Sequence, residues 1–145
     1  MKKALSNEIT LKFPSRSCNE GIIRTSIACF SAQMDPTLNE LEDIKTSVSE
    51  AVTNAVVHAY PDSIGPVTVR ARIYPDNTLE IIVKDFGRGI PDVSKARQPM
   101  YTTGGEDRSG MGFTIMESFM TSLEITSSEG KGTIVHMRRK VQRRT

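Results

Sequence analysis

Two pairs of alternating segments constrain the fold of this chain most strongly. Apolar and polar residues alternate along 67–74 and 78–84, and again along 122–128 and 133–138, with only a short turn inside each pair. Alternation with a period of two places apolar side chains on one face of a sheet and polar ones on the other. Strands joined by such short turns run antiparallel, because a parallel pair needs a long crossover. The chain is therefore predicted to contain a mostly antiparallel sheet with one solvent-exposed face.

Three stretches with apolar residues at helical spacing provide the second layer. They cover about 17–34, about 37–59 and a segment that opens at Gly110, and a further strand at 8–13 precedes them. The resulting order is a strand, two helices, a hairpin, a long loop, a helix and a second hairpin. This order predicts an α+β two-layer sandwich, in which three helices cover one face of a mostly antiparallel sheet.

The starts of the first two helices carry the same capping signal. Ser17 and Thr37 are each followed three residues later by a glutamate, Glu20 and Glu40. In a capping box, the hydroxyl and the glutamate each accept a hydrogen bond from the other residue's backbone N–H. We therefore expect both helices to begin in this way.

Length and charge set further limits. The 145 residues are close to the usual size of one domain, so one domain is expected over 1–145, with frayed tails at 1–6 and 139–145. Hydrophobic residues make up 37% and charged residues 25%, which is typical of a soluble globular protein. The net charge of +2 supplies no large field, so no direct contact with nucleic acid is expected.

The cysteines and the hydropathy indicate a compartment. Cys18 and Cys29 lack the spacing of metal ligands and are expected to be reduced, as in a cytoplasmic protein. The first residues contain no apolar signal-peptide region, and no apolar run approaches the roughly 20 residues that span a bilayer. A cytoplasmic protein without a membrane partner is therefore expected.

One polar face of the second helix carries residues suited to proton and metal chemistry. Glu50, Asn54 and His58 follow one another at intervals of four, so they share a helix face. Glu50 lies roughly 200° around the helix from Val48 of the apolar stripe, and a solvated face is the ordinary explanation. A carboxylate here could also take a proton from a hydroxyl or water. A neutral amide oxygen, in turn, suits Mg²⁺ held on a triphosphate.

Asp85 ends the second strand of the first hairpin and is followed by Gly87 and Gly89. Glycines, which lack a Cβ, let the backbone turn so closely that a flat ring can lie against it. A buried carboxylate at this point needs a donor, which could be the exocyclic amine of adenine, an arginine or a backbone N–H. The pattern alone is also typical of a plain turn.

A second glycine pair, Gly110 and Gly112, opens the third helix after a long polar stretch at 92–109. Free N–H groups and the positive end of the helix dipole favour an anion such as phosphate there. Arg108 adds a charge that could stabilise a terminal phosphate, or it is a solvated loop residue. Beyond one helical turn near 93–97, no regular structure is expected in this stretch, and a loop of this length is typical of a lid or a disordered segment. The Walker P-loop sequence is absent, so any phosphate site is of another kind.

These residues together resemble the four sequence boxes of the Bergerat-fold ATP-binding family. The segment 50–54 resembles its N box and 85–89 its first glycine box. Gly110-Met111-Gly112-Phe113 resembles the second glycine box, and Gly132-Thr133 the final box, in which a threonine helps to hold adenine. The four boxes occur in order over nearly the whole chain.

The closer resemblance is to the anti-sigma factor serine kinases of endospore-forming bacteria, above all over 42–60, 96–103 and 108–120. It implies a homodimeric protein that binds ATP or ADP with Mg²⁺. Such a protein holds an RNA polymerase sigma factor of sporulation inactive, and it phosphorylates a serine of an anti-anti-sigma protein. A nucleotide-gated module that binds sigma factor without phosphotransfer is the alternative, although pure binding does not need a base such as Glu50.

The resemblance also implies residue roles. Glu50 corresponds to the proposed catalytic base, Asn54 to the Mg²⁺ ligand and Arg108 to an arginine at the end of the lid. The implied nucleotide contacts are Asn54, Asp85, Gly87, Gly89, Gly110, Met111, Gly112, Phe113 and Thr133.

Two exposed features are candidate contacts with other proteins. Arg24 falls outside the apolar stripe of the first helix, so it is either a solvated charge or a partner contact. The strand at 8–13 comes first in the chain and could lie at a sheet edge. Edge strands attract further strands, so this one is a candidate dimer contact.

Overall fold

One five-stranded sheet and four helices form the fold of the described residues, 5–98 and 111–143, in the computed structural model. The strands are β1 (Asn7–Pro14), β2 (Pro66–Ile73), β3 (Thr78–Asp85), β4 (Ser122–Ser128) and β5 (Gly132–Lys140). The helices are α1 (Glu20–Ser31), α2 (Leu38–Thr53), α3 (Val93–Ala96) and α4 (Gly112–Phe119). The predicted α+β class is confirmed, and the short α3 coincides with the helical turn expected near 93–97.

The strands pair antiparallel in the order β1-β2-β3-β5-β4, so both predicted hairpins and the edge position of β1 are confirmed. The second hairpin joins the first through β3 and β5. In this register Asp85 pairs with Thr133, and Val83 with Val135. Two residues that are 48 positions apart in the sequence, Asp85 and Thr133, thereby become neighbours.

The helices cover the apolar face of the sheet, as predicted. The strand residues buried beneath them are Val67, Val69, Ala71, Ile73, Leu79, Ile81, Val83, Val135 and Met137. Helix α2 contributes Ile44, Val48 and Val52, all fully buried, and it packs against both α1 and α4. Each such side chain contributes about 1.5–3 kcal/mol when it leaves water, so α2 is held firmly between its neighbours.

The opposite face of the sheet carries one buried carboxylate. Glu80 is only 4% exposed, because Arg72 and Arg138 approach it to 3.4 and 3.2 Å. His136 lies 2.7 Å from it, and Tyr74 donates its hydroxyl hydrogen at 2.8 Å. Burial alone would raise the pKa of Glu80, but the hydrogen bonds from His136 and Tyr74 hold that pKa below its usual value. The wet face therefore holds a charge network.

The two capping predictions have different outcomes. Thr37 Oγ1 accepts from Glu40 N at 3.0 Å and Glu40 Oε1 accepts from Thr37 N at 2.9 Å, so the second capping box is confirmed. The first is wrong, because a 3₁₀ turn over Ser17–Asn19 precedes α1 without a side-chain cap. The Glu20 carboxylate bonds elsewhere, to Arg24 and Ser49.

The frayed tail predicted for 139–145 is wrong over 139–142. Strand β5 continues to Lys140, and Val141 is 1% exposed. Val141 exchanges two hydrogen bonds with Asn77 at 3.0 Å, and Gln142 N donates to Glu40 Oε2 at 3.0 Å. The basic composition concealed these bonds, because it is typical of a solvated end. At the other terminus, Ser6 N donates to Ile73 O at 2.8 Å, and 1–4 lie outside the described residues.

Cys18 and Cys29 are both free and exposed. Within 5–98 and 111–143, no helix combines the length and the apolar character that crossing a bilayer requires.

Candidate active site

The backbone at the end of α2 changes from α to π geometry where Asn54 begins. Asn54–His58 form a single π turn, in which Ala59 N donates to Asn54 O at 3.2 Å. The predicted helix does extend to this region, but the periodicity gave no sign of the π turn. Single π turns inside α-helices occur frequently at functional sites. Here the irregular turn starts at the residue that was predicted to hold a metal.

Glu50 and Asn54 face the first turn of α4, not open solvent. A Cβ added to Gly112 would lie 3.2 Å from Glu50 Oε2, 3.5 Å from Asn54 Nδ2 and 3.6 Å from Asn54 Oδ1. Both side chains belong to half-buried residues. The ordinary explanation of a solvated helix face is therefore excluded for this pair. The missing side chain of Gly112 leaves a small space that a carboxylate, an amide and a helix start enclose.

The start of α4 places backbone donors next to that space. Ile115 N donates to Met111 O at 2.8 Å, so the N–H groups of Gly112, Phe113 and Thr114 precede this first bond of the helix. Such N–H groups have no partner within the helix, and the helix dipole adds partial positive charge. The Phe113 side chain is 8% exposed and packs in the core, so only its backbone can face a ligand.

Asp85 lies at the other end of the site and is buried, with 7% of its surface exposed. Its Oδ1 accepts from Gly87 N at 3.0 Å and from Thr133 N at 3.2 Å. Burial raises the pKa of the Asp85 carboxyl, although these two N–H groups oppose the effect. Its Oδ2 accepts no hydrogen bond from the described part of the chain, so one lone-pair side of the carboxylate is available to a donor.

Thr133 is anchored through a residue that the sequence analysis did not identify. Its Oγ1 lies 2.8 Å from Ser127 Oγ, on the neighbouring strand β4. Ser127 Oγ also accepts from Ile90 N at 2.7 Å and lies 3.1 Å from Gly132 O. Ser127 therefore ties the loop after Asp85 to the strand that carries Thr133. An exposed-looking serine in an alternating strand gives no sequence signal of this role.

The glycines after Asp85 lie against neighbouring protein backbone. A Cβ on Gly87 would lie 2.2 Å from Ala59 O, and one on Gly89 would lie 2.3 Å from Ser128 O. Gly89 also has φ of 77°, which favours glycine. Protein backbone thus fills the space in the Cβ direction of both residues, so a glycine at each position lets the loop that carries Asp85 pack this closely. Both glycines remain predicted nucleotide contacts.

Tyr60 holds the same loop from the side of α2 and was also missed. Its hydroxyl accepts from Phe86 N and donates to Pro66 O, both at 2.7 Å. Arg88 N donates to Ala59 O at 2.9 Å just beside it. The loop after Asp85 is therefore fixed to the end of the second helix, near the π turn that contains Asn54.

The remaining predicted residues have separate outcomes. Arg108 and Gly110 fall outside the described residues. Arg24 lies on α1, with 40% of its side chain exposed, and its guanidinium forms an ion pair with Glu20 at 3.3 Å. His58 is half-buried within the π turn. Within 5–98 and 111–143, no three His, Cys, Asp or Glu side chains are grouped as ligands of a metal ion.

Comparison with known proteins shows the family of this chain. The histidine kinase-like ATPase domain matches residues 13–139. A protein of Caldanaerobacter subterraneus subsp. tengcongensis called anti-sigma F factor is 53% identical over 139 residues, which cover 95% of this chain and 96% of that protein. An anti-sigma F factor of Heyndrickxia coagulans is 50% identical, covering 93% of each chain.

A solved structure has the same fold. The RsbU and RsbW domains of a Mycobacterium tuberculosis protein match with a TM-score of 0.71 and 19% identity, over 97% of this chain and 34% of that one. At this identity the match shows the fold alone. Together with the family match and the two relatives, it agrees with the antiparallel sheet and the three packed helices. This chain belongs to the histidine kinase-like ATPase domain family and, within it, to the anti-sigma F factors.

Proposed function

We propose that this chain is an ATP-dependent protein-serine kinase that also sequesters a sigma factor. One observation carries the proposal: the Glu50 carboxylate and the Asn54 amide both lie next to Gly112 at the start of α4. A carboxylate can accept a hydroxyl proton, an amide oxygen can bind a hard cation, and the start of α4 can bind phosphate. These are three separate requirements of phosphoryl transfer.

Adenine would lie at the opposite end of the site. Asp85 Oδ2, which accepts no hydrogen bond from the described residues, is a suitable acceptor for the exocyclic amine, and Thr133 lies beside Asp85 on β5. Gly87 and Gly89 shape the loop and remain predicted nucleotide contacts, and Met111, Gly112 and Phe113 would offer backbone groups to the phosphates. Gly110 and Arg108 remain predicted phosphate contacts from the preceding segment.

The donor set fits a magnesium ion that arrives with the nucleotide. Asn54 supplies one neutral oxygen donor, and the described residues offer no carboxylate cluster that would bind the ion alone. Mg²⁺ usually takes one or two protein groups and completes its shell with phosphates and water. When bound, it would neutralise charge on the phosphate oxygens.

Transfer would proceed in line. The partner's serine oxygen gives its proton to the Glu50 carboxylate and forms a bond to the γ-phosphorus. The bond from that phosphorus to the β–γ bridging oxygen breaks, and ADP leaves with the electron pair. The α4 N–H groups, and Arg108 as predicted, would stabilise the charge on the transferred group.

The partners follow from the relatives' shared name and from the resemblance. An anti-sigma F factor implies an RNA polymerase sigma factor as one partner, here one of sporulation, and an anti-anti-sigma protein as the serine substrate. We propose Arg24 as a partner contact, since 40% of its side chain is exposed. We also propose a homodimer, for which the edge strand β1 offers free backbone groups. Sedimentation at the monomer mass over a wide concentration range would contradict the dimer.

A single labelling experiment tests the catalytic proposal. The purified chain is incubated with γ-³²P-ATP, Mg²⁺ and the co-purified anti-anti-sigma protein. Label on a serine of the partner is expected. Tight ADP or ATP binding without label on the partner would favour the nucleotide-gated binding module. Rapid release of phosphate without a partner would indicate a plain ATPase.

Two substitutions separate the roles of the α2 residues. Glu50→Ala should keep nucleotide binding and lower transfer by about 100-fold or more, because it removes only the general base. Asn54→Ala should weaken both binding and transfer, because the metal–nucleotide complex loses a ligand. Isothermal titration with Mg–ADP and the labelling assay measure the two effects. Normal transfer by Glu50→Ala would show that the base is another residue.

A further inference from the structure

The Glu20 carboxylate connects α1 to Ser49 of α2, the residue directly before the proposed base Glu50. Ser49 Oγ donates to Glu20 Oε1, and Arg24 Nη1 lies 3.3 Å from both oxygens of the same carboxylate. The Glu20 side chain is 19% exposed and that of Arg24 is 40% exposed. One carboxylate thus joins an exposed cation on α1 to a hydroxyl on α2.

Ser49 and Glu50 point to different neighbours of the same helix. Successive residues of an α-helix are about 100° apart, so a bond from Ser49 to α1 leaves Glu50 directed toward Gly112 of α4. Together with the buried side chains of α2, the bond from Ser49 to Glu20 therefore helps to set the rotation of α2 at the position of Glu50. Regular α geometry ends four residues later at the π turn, so this bond lies on the last α-helical turn before the irregular segment.

We propose that Ser49 is a positioning residue for Glu50 and that it acts through its bond to Glu20. The inference rests on the proposed kinase function and adds a means of regulating it. A base must lie within hydrogen-bond reach of the hydroxyl that it deprotonates, and a displacement of 1 Å can cost about 100-fold in rate. Because Arg24 is the exposed member of the cluster, an acidic group of a bound partner would compete with Glu20 for the guanidinium. It would thereby change the bond that orients Glu50.

The test compares three variants of the full chain. Ser49→Ala removes the hydroxyl, Ser49→Thr retains it, and Thr46→Ala removes a hydroxyl one turn earlier on α2 that forms no side-chain hydrogen bond within the described residues. We expect Ser49→Ala to lower kcat by about tenfold at an unchanged KM for ATP, with Ser49→Thr and Thr46→Ala close to the wild type. A kcat within twofold of the wild type, or a KM that rises in parallel, would overturn the inference.

A second measurement does not depend on phosphotransfer. With ¹³C-labelled glutamate, the Glu50 carboxyl resonance is assigned by its loss in Glu50→Gln and followed against pH. We expect Ser49→Ala to shift the titration midpoint of the Glu50 carboxyl. Glu20→Gln, although 30 positions away from Glu50 in the sequence, should shift it too, whereas Ser49→Thr should leave it unchanged. Unchanged midpoints in both would overturn the inference. If the wild type transfers no label, the kinase proposal fails, and this titration alone decides on Ser49.

Discussion

Glu50 and Asn54 lie one helical turn apart on α2, and both face a third residue, Gly112 of α4. Gly112 faces both of them, and its hydrogen takes up the place where any other residue would put a side chain. The sequence indicated Gly112 because it begins a helix. The structure adds that Gly112 also borders the space beside Glu50 and Asn54, so one glycine serves the helix start and the proposed catalytic space.

Gly112→Ala should therefore impair transfer while leaving the fold intact. The new methyl group would lie 3.2 Å from Glu50 Oε2 and would displace that carboxylate or Asn54. We expect transfer to fall by about tenfold or more, since alignment of the reacting groups is lost. The labelling assay measures the loss, and circular dichroism checks the fold.

Gly21→Ala is the matched control for this substitution. Gly21 also lies in the first turn of a helix, but its added Cβ would meet only Arg24 at an ordinary 3.7 Å. Alanine favours helix by up to about 1 kcal/mol over glycine, so this variant should be at least as stable as the wild type and equally active. Equal activity of both variants would show that the space above Gly112 is not used in catalysis.

Asp85→Asn should change the preference for the nucleotide base more than it changes the stability of the fold. The asparagine Oδ1 can still accept from the N–H groups of Gly87 and Thr133, so the loop keeps its bonds. The amide NH₂ would then face the adenine amine, and two donors would oppose each other. We expect ADP affinity to fall by about tenfold or more, while inosine diphosphate, which presents an oxygen, loses less. Fluorescence competition with both nucleotides measures the difference, and a parallel loss would contradict this role for Asp85.

The same variant reports on pH dependence. Burial raises the pKa of Asp85 in the folded chain, so the folded protein retains the proton over a pH range in which the unfolded chain releases it. The free energy of unfolding should therefore decrease as pH rises from the ordinary aspartate pKa through the raised one. Asp85→Asn should lack this component. Urea titrations at several pH values compare the two proteins.

At the scale of elements, buried hydroxyls of the helices differ in whether they have a partner. Ser47 lies on α2 with no exposed surface, and its Oγ has no hydrogen-bond partner within the described residues. Ser31 on α1 is equally buried, but its Oγ donates to Ile27 O at 2.7 Å. A buried polar group without a partner costs about 1–3 kcal/mol.

Ser47→Ala should consequently stabilise the protein by about 1 kcal/mol, because it removes an unsatisfied hydroxyl. Ser31→Ala gains the same helix propensity but loses a hydrogen bond, so it should be less favourable. Urea denaturation of both variants gives the free energies of unfolding. Equal effects of the two substitutions would mean that the Ser47 hydroxyl finds a partner in solution.

The elements themselves were largely predictable because their signals are local. Alternation over six to eight residues identified the strands, and the Thr37 box identified the start of α2. The first box failed because Glu20 has stronger partners in Arg24 and Ser49 than the backbone before it. The π turn at Asn54 could not be predicted, since its neighbours in space and not its spacing decide it.

At the scale of the whole molecule, the site depends on register. The resemblance identified Asp85 and Thr133 separately, and only the pairing of β3 with β5 makes one donate to the other. Tyr60 and Ser127 escaped detection because a tyrosine after a helix and a serine in a strand are ordinary residues there. Their roles arise from contacts with Phe86, Thr133 and Ile90, at 26, 6 and 37 positions along the chain.

Contacts between residues distant in the sequence also hold the C-terminal segment, which its basic composition predicted to be a frayed tail. A chain that ends at Lys140 loses Val141, which is 1% exposed, together with its two bonds to Asn77 and the bond from Gln142 to Glu40. Burial of one valine alone contributes about 1.5–3 kcal/mol. We expect thermal unfolding of this truncated chain to show a loss of at least about 2 kcal/mol, whereas a chain that ends at Arg143 should match the full length. Because Glu40 also caps α2, the loss should extend to nucleotide binding at the far end of that helix. Identical unfolding of both truncated chains would mean that the segment after β5 does not stabilise the protein in solution.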